Sequence, residues 1–295
     1  MRLLVDTLVF GVINGALIAV GGVGFTLQYG VTNVLNLAYG AIITSAVYVG
    51  YLMSTRTTNL AALLLVGAVW GGLISVVLGI FVVARYVRRG TNLVGVAIVT
   101  ISVGLIVQFS LEAIQGAGIL TFRSSHGSPF HIFNAIVTTT QASLVGVSVC
   151  LMALVYVILK YTRLGLAMRA TSADPSLSRG CGIATERIRA LSWLISGGLC
   201  GVTGIMLGVS VGAFNSSSGN GLFILIVAAT IVGGIGRPYG AMAGGLLLGV
   251  ISEGTAAWFS PALRDVVASG VIVLVLLWRP QGIVADFTSS RVLTQ

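Results

Sequence analysis

Charged residues are scarce in this sequence. Lys, Arg, Asp and Glu make up 8% of the 295 residues, whereas 56% are hydrophobic. Soluble domains of ordinary composition carry about 25% charged residues, so this chain has too few of them to cover a globule in water. Together with a mean hydropathy of +1.05, the composition excludes a water-soluble protein. It predicts a polytopic integral membrane protein, with a single transmembrane domain over residues 1–295.

Lysine is almost absent, and Lys160 is the only one in the chain. A phosphate-binding loop of the form GxxxxGK[ST] needs a glycine directly before its lysine, but Lys160 follows a leucine. We therefore expect no cofactor in this chain. If ATP drives the protein, separate partner chains bind the nucleotide.

Residue types that carry catalysis or metals are also few. The three cysteines show no CxxC spacing, so neither a disulfide framework nor a zinc site is indicated. His126 and His131 are interpreted as solvated loop residues, because a metal site would need further ligands. We expect no catalytic residue, no metal site and no enzymatic activity. The formal charge of +9 predicts oriented loops and not nucleic-acid binding.

Long uncharged stretches define the membrane segments. One crossing of a ~30 Å hydrocarbon core takes about 20 apolar residues, so the runs at 7–55 and 190–236 each hold two segments. All five prolines fall between or at the ends of the segments, where helices tolerate them. The predicted helices are 7–28, 37–54, 60–84, 92–112, 136–159, 190–211, 222–235, 240–259 and 264–279.

Segment 222–235 is too short for an ordinary crossing, because its 14 residues span only ~21 Å at 1.5 Å per residue. It is either tilted and extended or a broken, re-entrant helix that stops inside the protein. The prediction is an all-α fold with eight or nine transmembrane helices, one of them a candidate for a break.

Clusters of arginine predict the orientation. Arg85, Arg88 and Arg89 share one loop and six Lys or Arg residues lie within 160–189, whereas 113–135 has only Arg123. Loops rich in Lys and Arg stay in the cytoplasm. We therefore expect the first two loops inside and the third outside, and the side of the N-terminus is left open.

A few polar side chains fall within the predicted helices. Glu253 lies well inside 240–259, where an ionisable group favours either a functional role or a hydrogen-bonded role in packing. Glu112 ends its helix and is expected at the membrane interface. Five amides either line a polar path or form interhelical hydrogen bonds, namely Asn14, Gln28, Asn33, Asn36 and Gln108.

The loop 160–189 contains a structured element. Asp174 followed by Pro175 is typical of a helix N-cap with proline at the first helical position, and Gly180 or Gly182 can end the turn. These residues predict a short cytoplasmic helix at about 175–179. A stand-alone membrane protein has little need of such an element. A protein whose membrane domain is moved by a soluble partner needs one as the site of contact.

Four patches of the sequence follow one another in a familiar order. They are Tyr29-Gly30 with LNLAYG at 35–40, GLAMRA at 165–170 with Asp174-Pro175 and Gly182-Ile183, the glycines of 233–245 with Glu253, and WRPQGI at 278–283. Together they resemble the permease subunits of branched-chain amino-acid ABC importers over nearly the whole chain. The sequence departs from that family at Tyr39, which stands in the place of a histidine.

The resemblance implies a permease that forms half of a translocation path in the bacterial cytoplasmic (inner) membrane. The implied partners are a second, related permease, two ABC ATPases that bind ATP, and an extracytoplasmic substrate-binding protein. The implied substrate is a branched-chain amino acid or a related small amino acid or amide. The residues implied for ATPase docking are Arg169, Ala170, Asp174 and Gly182. The residues implied for the path are Asn36, Tyr39, Gly40, Gly236 and Glu253.

Two other classes of membrane protein are alternatives to an ABC permease. A stand-alone secondary transporter of a small polar solute needs a coupling site near the membrane midplane, for which Glu253 is the clear candidate. A passive channel needs a fixed pore lining and no docking helix, so the segment 165–183 argues against a channel.

Overall fold

A computed structural model describes residues 2–116, 118–122, 129–132 and 135–278. The predicted loop residues Arg123 and His126 and the patch at 279–283 lie outside them. Nearly all of the described chain is helical, which confirms the predicted all-α membrane fold. The helices are α1 (Arg2–Thr32), α2 (Tyr39–Ser54), α3 (Leu60–Val77), α4 (Ala84–Arg88), α5 (Leu93–Gln115), α6 (Thr139–Tyr161), α7 (Arg163–Ala173), α8 (Pro175–Gly180), α9 (Thr185–Val211), α10 (Ser218–Gly233), α11 (Pro238–Trp258) and α12 (Arg264–Trp278).

Shorter elements complete the described chain. A π-helical turn, Leu78–Val83, makes α3 and α4 one continuous helix, and a 3₁₀ turn, Pro261–Leu263, precedes α12. The strands are β1 (Leu120–Thr121), β2 (Pro129–Ile132), β3 (Ala135–Thr138) and β4 (Ala213–Phe214). Two antiparallel pairs form, β1 with β4 and β2 with β3. The sequence did not predict these strands. The pairing of β1 with β4 joins distant parts of the chain, whereas β2 and β3 are neighbours in sequence. β3 occupies the predicted start of helix 136–159, which begins instead at Thr139.

Seven helices of the described chain are long and apolar enough to cross a membrane, and two shorter apolar helices, α2 and α10, accompany them. Together these nine apolar helices agree with the predicted eight or nine transmembrane helices. The helix that was expected to be short, α10, is regular over 16 residues, or ~24 Å. The interruption lies elsewhere, before α2.

The two ends of the bundle differ in charge. Arg88 lies 3.6 Å from Glu186, which brings the loop 85–91 and the segment 160–189 to the same end, called here the basic end. The paired strands β1 and β4 lie at the opposite end, called here the strand end. The positive-inside rule predicts that the basic end is cytoplasmic.

Helix α1 is the centre of the bundle and runs antiparallel to α11. Gly11 lies against Val250 on the side of the strand end, Gly15 lies against Leu246 near the middle of both helices, and Gly30 lies against Gly236 at the basic end. A second close contact joins α3 to α9, where a methyl group on Gly201 would overlap the carbonyl oxygen of Gly67. In lipid, helix association depends on such close backbone packing, which explains the use of 40 glycines in the chain.

The segment 33–38 is the irregular part of the bundle. α1 ends at the basic end with Asn33 at φ 53°, and the chain then returns into the bundle without helical structure before α2 begins at Tyr39. The hydroxyl of Thr100 accepts a hydrogen bond from the Leu37 N–H at 3.2 Å, and the same oxygen lies 2.8 Å from the Ala97 carbonyl and 3.2 Å from the Leu35 carbonyl. A side chain of α5 therefore satisfies a backbone N–H that lipid cannot.

Candidate functional site

Residues 163–183, called here the docking segment after the role that was predicted for them, form two short helices at the basic end. Only the second helix was predicted, because α7 is a water-facing helix without a strong apolar pattern. Thr162 caps α7 by accepting a hydrogen bond from the Gly165 N–H at 3.2 Å. Asp174 ends α7 and begins α8, as the Asp-Pro pair predicted.

The carboxylate of Asp174 holds the start of α8. Its Oδ1 atom accepts hydrogen bonds from the Ser176 N–H at 2.8 Å, the Ser176 hydroxyl at 2.7 Å and the Leu177 N–H at 3.0 Å. These bonds, led by that of Leu177, hold the pKa of Asp174 below its usual value. The charge of Asp174 is thus engaged in capping the helix.

The other residues predicted for docking have different environments. Arg169 is exposed, Ala170 is half-buried, and Gly182 follows α8 with φ +84°, which favours glycine. The docking role of these residues stays a prediction.

Two apolar residues of the docking segment escaped the sequence analysis. Leu166 is 62% exposed and Leu177 is 66% exposed. Both lie on the short helices at the charged end of the bundle, where exposed residues are mostly polar. These two leucines offer apolar surface in an otherwise polar part of the molecule. Their signal was present in the sequence as apolar residues within a polar loop.

The docking segment rests on the end of α1. Met168 is 1% exposed and packs into a cluster with Leu27 and Val31 of α1. The Ser172 hydroxyl donates a hydrogen bond to the carbonyl oxygen of Gly30. α7 is therefore joined directly to the helix end that leads into segment 33–38.

Three of the predicted path residues lie together where this segment enters α2. The Asn36 amide nitrogen donates to Gln28 Oε1 at 3.3 Å, and the Ser196 hydroxyl donates to the same oxygen at 3.2 Å. Gly40 lies so close to Asn220 of α10 that a Cβ atom would overlap the asparagine Oδ1. The starts of α2 and α10 therefore meet inside the protein.

Tyr39 is the third member and is almost completely buried, at 1% exposed. Its hydroxyl lies 3.0 Å from the Gly21 carbonyl oxygen. Its ring stacks edge-on with Phe25, with centroids 5.5 Å apart, and lies 6.0 Å from Phe223. In this conformation Tyr39 packs α2 against α1 and α10.

Gly236 and Glu253, the other two predicted path residues, lie at opposite ends of the bundle. Gly236 is at the basic end, where its N–H donates to the Thr26 hydroxyl at 2.9 Å and where it lines a cavity of about 190 Å³ with Arg169. Glu253 lies in the last turns of α11, ~22 Å of helix away. The five residues do not form one site in this conformation.

Glu253 has a partner that the sequence analysis did not assign. Arg264 Nη2 lies 2.8 Å from Glu253 Oε1 and 3.0 Å from Oε2, and the Asn14 amide donates to Oε1 at 2.6 Å. The three side chains line a polar cavity of about 410 Å³ at the strand end. Glu253 is thus hydrogen-bonded and ion-paired in this structure, and its role in the path stays a prediction.

The remaining amides of the helices also have interhelical or local partners. Asn220 Nδ2 donates to Gln108 Oε1 at 2.8 Å, which joins α10 to α5. Glu112 Oε2 accepts from the Ser216 hydroxyl at 3.4 Å near the strand end, consistent with its expected interfacial position. Asn33 directly follows α1: its backbone N–H still donates to the Tyr29 carbonyl at 2.7 Å, and its positive φ of 53° ends the helical path.

Comparison with known proteins gives one consistent family. Residues 7–276 match the family model described as branched-chain amino acid transport system / permease component. The high-affinity branched-chain amino acid permease LivH of Escherichia coli K12 is 29% identical over 292 residues, 92% of each chain. BraD of Pseudomonas aeruginosa is 29% identical over 300 residues, 94% of each chain. The probable permease LivH of Methanocaldococcus jannaschii is 27% identical over 303 residues, 92% of this chain and 90% of that one. The chain belongs to the family of branched-chain amino acid transport permease components.

Proposed function

We propose that this permease forms one half of the translocation path of a binding-protein-dependent importer in the bacterial cytoplasmic membrane. A second, related permease forms the other half. Two separate ATPase chains bind at the basic end and hydrolyse ATP, and an extracytoplasmic protein delivers substrate at the strand end. The names of the relatives support a branched-chain amino acid as the substrate, with a related small amino acid or amide as the alternative.

The docking segment carries this proposal. Leu166, Arg169 and Leu177 are exposed at the charged end of the molecule, so they offer apolar contacts flanked by a cation. A buried anchor, Met168, fixes the segment to the bundle. A soluble partner that binds the exposed leucines can move the membrane helices, because the segment is packed firmly against α1.

The route of that force follows from the contacts. α7 touches the end of α1 through Ser172 and Gly30, and α1 continues into the segment that carries Asn36. That segment leads to Tyr39 and Gly40, where α2 meets α10. We propose that ATP-driven movement of α7 shifts this segment and opens a path beside Asn36, Tyr39 and Gly40.

The test is a pair of substitutions on the exposed docking leucines. Leu166→Ser with Leu177→Ser removes apolar contact area from side chains that the bundle does not bury. We expect the chain to reach the membrane in normal amount but to lose the ATPases on purification. Ile119→Ser is the matched control, because Ile119 is 74% exposed near the strand end, and it should retain them. Full retention of the ATPases by the leucine variant would remove this segment from docking.

Charge in the same segment is tested separately. Reversing Arg169 and Asp174 together should also release the ATPases, but it removes the cap of α8 as well. Asp174→Ser keeps a good N-cap without the charge. If Asp174→Ser alone releases the ATPases, the carboxylate contacts the partner; if it does not, Asp174 acts by holding α8.

A further inference from the structure

A groove opens at the basic end between the α3–α4 helix and the start of α9. Its volume is about 260 Å³. One wall is apolar and the rim is charged. The apolar lining includes Ile80, Val83, Val87 and Trp193, and the rim is made of Arg88, Glu186, Arg187 and Arg189.

The apolar wall is shaped by the π-helical turn between α3 and α4. The Ala84 N–H bonds to the carbonyl of Gly79, five residues earlier, which widens the helix at this point. A Cβ atom on Gly79 would lie 2.5 Å from Trp193 Cδ2, so the indole packs directly on bare backbone. Helix widening and the absence of a side chain together make room for the indole at the floor of the groove.

The groove is continuous with the lipid-facing surface. Ile80, in its lining, is 46% exposed, and the adjacent Phe81 is 70% exposed. Both residues lie within the span Leu60–Arg88, which is long and apolar enough to cross the membrane. An acyl chain that lies along this surface therefore brings its headgroup to the rim of the groove.

The rim carries an excess of positive charge. Glu186 lies 3.6 Å from both Arg88 and Arg189, and none of the described residues forms an ion pair with Arg187. Three guanidiniums thus face one carboxylate. In addition, the Nε atom of Arg189 is buried without a hydrogen-bond partner in the described chain, so a donor is left for an acceptor that enters the groove.

We propose that this groove binds one anionic phospholipid of the cytoplasmic leaflet. The headgroup phosphate lies among Arg88, Arg187 and Arg189, and an acyl chain runs along Ile80 and Phe81. Guanidiniums bind phosphate through paired hydrogen bonds, and basic pockets between helices on the cytoplasmic side suit anionic headgroups. The proposal does not depend on which solute the permease carries.

The experiment uses the whole transporter, purified with its partner chains and supplied with phosphatidylglycerol or phosphatidylcholine. Native mass spectrometry counts the lipids retained per copy of this chain. Arg88→Gln with Arg187→Gln removes two rim charges, and Arg85→Gln with Arg89→Gln is the matched control, since those arginines share the loop but lie outside the groove lining. We expect retention of one phosphatidylglycerol in preference to phosphatidylcholine. The rim variant should weaken the binding of phosphatidylglycerol about tenfold or more, and the control variant should weaken it by less than about twofold.

Several results would overturn the proposal. Equal retention of the two lipids would show that the headgroup charge is not recognised. Equal loss in the rim and control variants would show only general attraction between basic loops and anionic lipid. Release of the ATPases by the rim variant with lipid retained would assign the arginines to protein docking. Stabilisation by inorganic phosphate alone, as large as that by phosphatidylglycerol, would indicate a soluble anion as the ligand.

Discussion

The carboxylate of Glu253 lies 2.8 Å from the guanidinium of Arg264, which joins the last turns of α11 to the first residue of α12. The side chain of Glu253 is 12% exposed and that of Arg264 is 38% exposed. Asn14 of α1 adds a third contact to the same carboxylate. An ionisable group that looked isolated in its helix is therefore part of an interhelical link.

This link predicts the behaviour of two substitutions at Glu253. Glu253→Gln keeps an acceptor for Arg264 and Asn14, so uptake in proteoliposomes should stay ATP-dependent and within severalfold of the parent. Glu253→Leu leaves both partners without an acceptor and should destabilise the protein by ~1–3 kcal/mol, toward the lower value because Arg264 is partly exposed. Asp265→Asn, next to Arg264 in the same cavity, is the control. Loss of transport by Glu253→Gln, with proton-driven uptake by the parent alone, would instead support a secondary transporter.

The α3–α9 contact predicts a steric effect of one methyl group. Gly201→Ala places the methyl against the backbone of Gly67, and overpacking of this kind destabilises by ~1–3 kcal/mol. Gly146→Ala is the control, because nothing lies within 4 Å of the added atom and alanine favours helix by up to ~1 kcal/mol. Thermal unfolding in detergent should separate the two variants in opposite directions. Equal stability of the two would show that the helices do not touch here.

The cap of α8 predicts a pH dependence. Hydrogen bonds to Asp174 lower its pKa in the folded chain, so its contribution to the stability of α8 is complete above the ordinary aspartate pKa of about 3.9. The contribution is lost as the pH falls through the lower, folded pKa. Amide protection factors for Ser176 and Leu177 should fall over that range. In Asp174→Ser they should be independent of pH there, and a fall of the same size in that variant would contradict the assignment.

The orientation predicts which cysteines react from outside. Ser125, in the loop 113–135 that is expected outside, lies outside the described residues, whereas Ile119 of the same loop is 74% exposed near the strand end. A cysteine at Ile119 in a Cys-free background should react with an impermeant maleimide in intact cells. Native Cys181 is exposed at the basic end and should react only after permeabilisation, with Cys150 and Cys200 replaced. The reverse pattern would invert the whole topology.

The contacts of Tyr39 predict that loss of its hydroxyl affects stability more than uptake. Tyr39→Phe keeps the ring contacts with Phe25 and Phe223 and removes the hydroxyl bond to Gly21. We expect a loss of about 0.5–1.5 kcal/mol in stability and little change in uptake. A large loss of uptake with unchanged stability would give the hydroxyl a direct role in the path.

The amino-acid sequence alone determined the features that depend on length and on near neighbours. Apolar runs of about 20 residues specify crossings because lipid offers no hydrogen bonds to an unfolded backbone. Asp174 and Pro175 specify the start of α8 because the cap binds N–H groups two and three residues away. The basic loops specify orientation through charge alone.

Only the tertiary structure decided which helix faces meet. The helices are apolar nearly all round, so their patterns do not tell a buried face from a lipid-facing one. The pairings of Asn36 with Gln28, Asn220 with Gln108 and Glu253 with Arg264 therefore depend on close packing between backbones that are distant in sequence. The sequence predicted a gap between helices 7–28 and 37–54, but only the packing shows that segment 33–38 lies inside the bundle, where Thr100 of a neighbouring helix accepts a hydrogen bond from the Leu37 N–H.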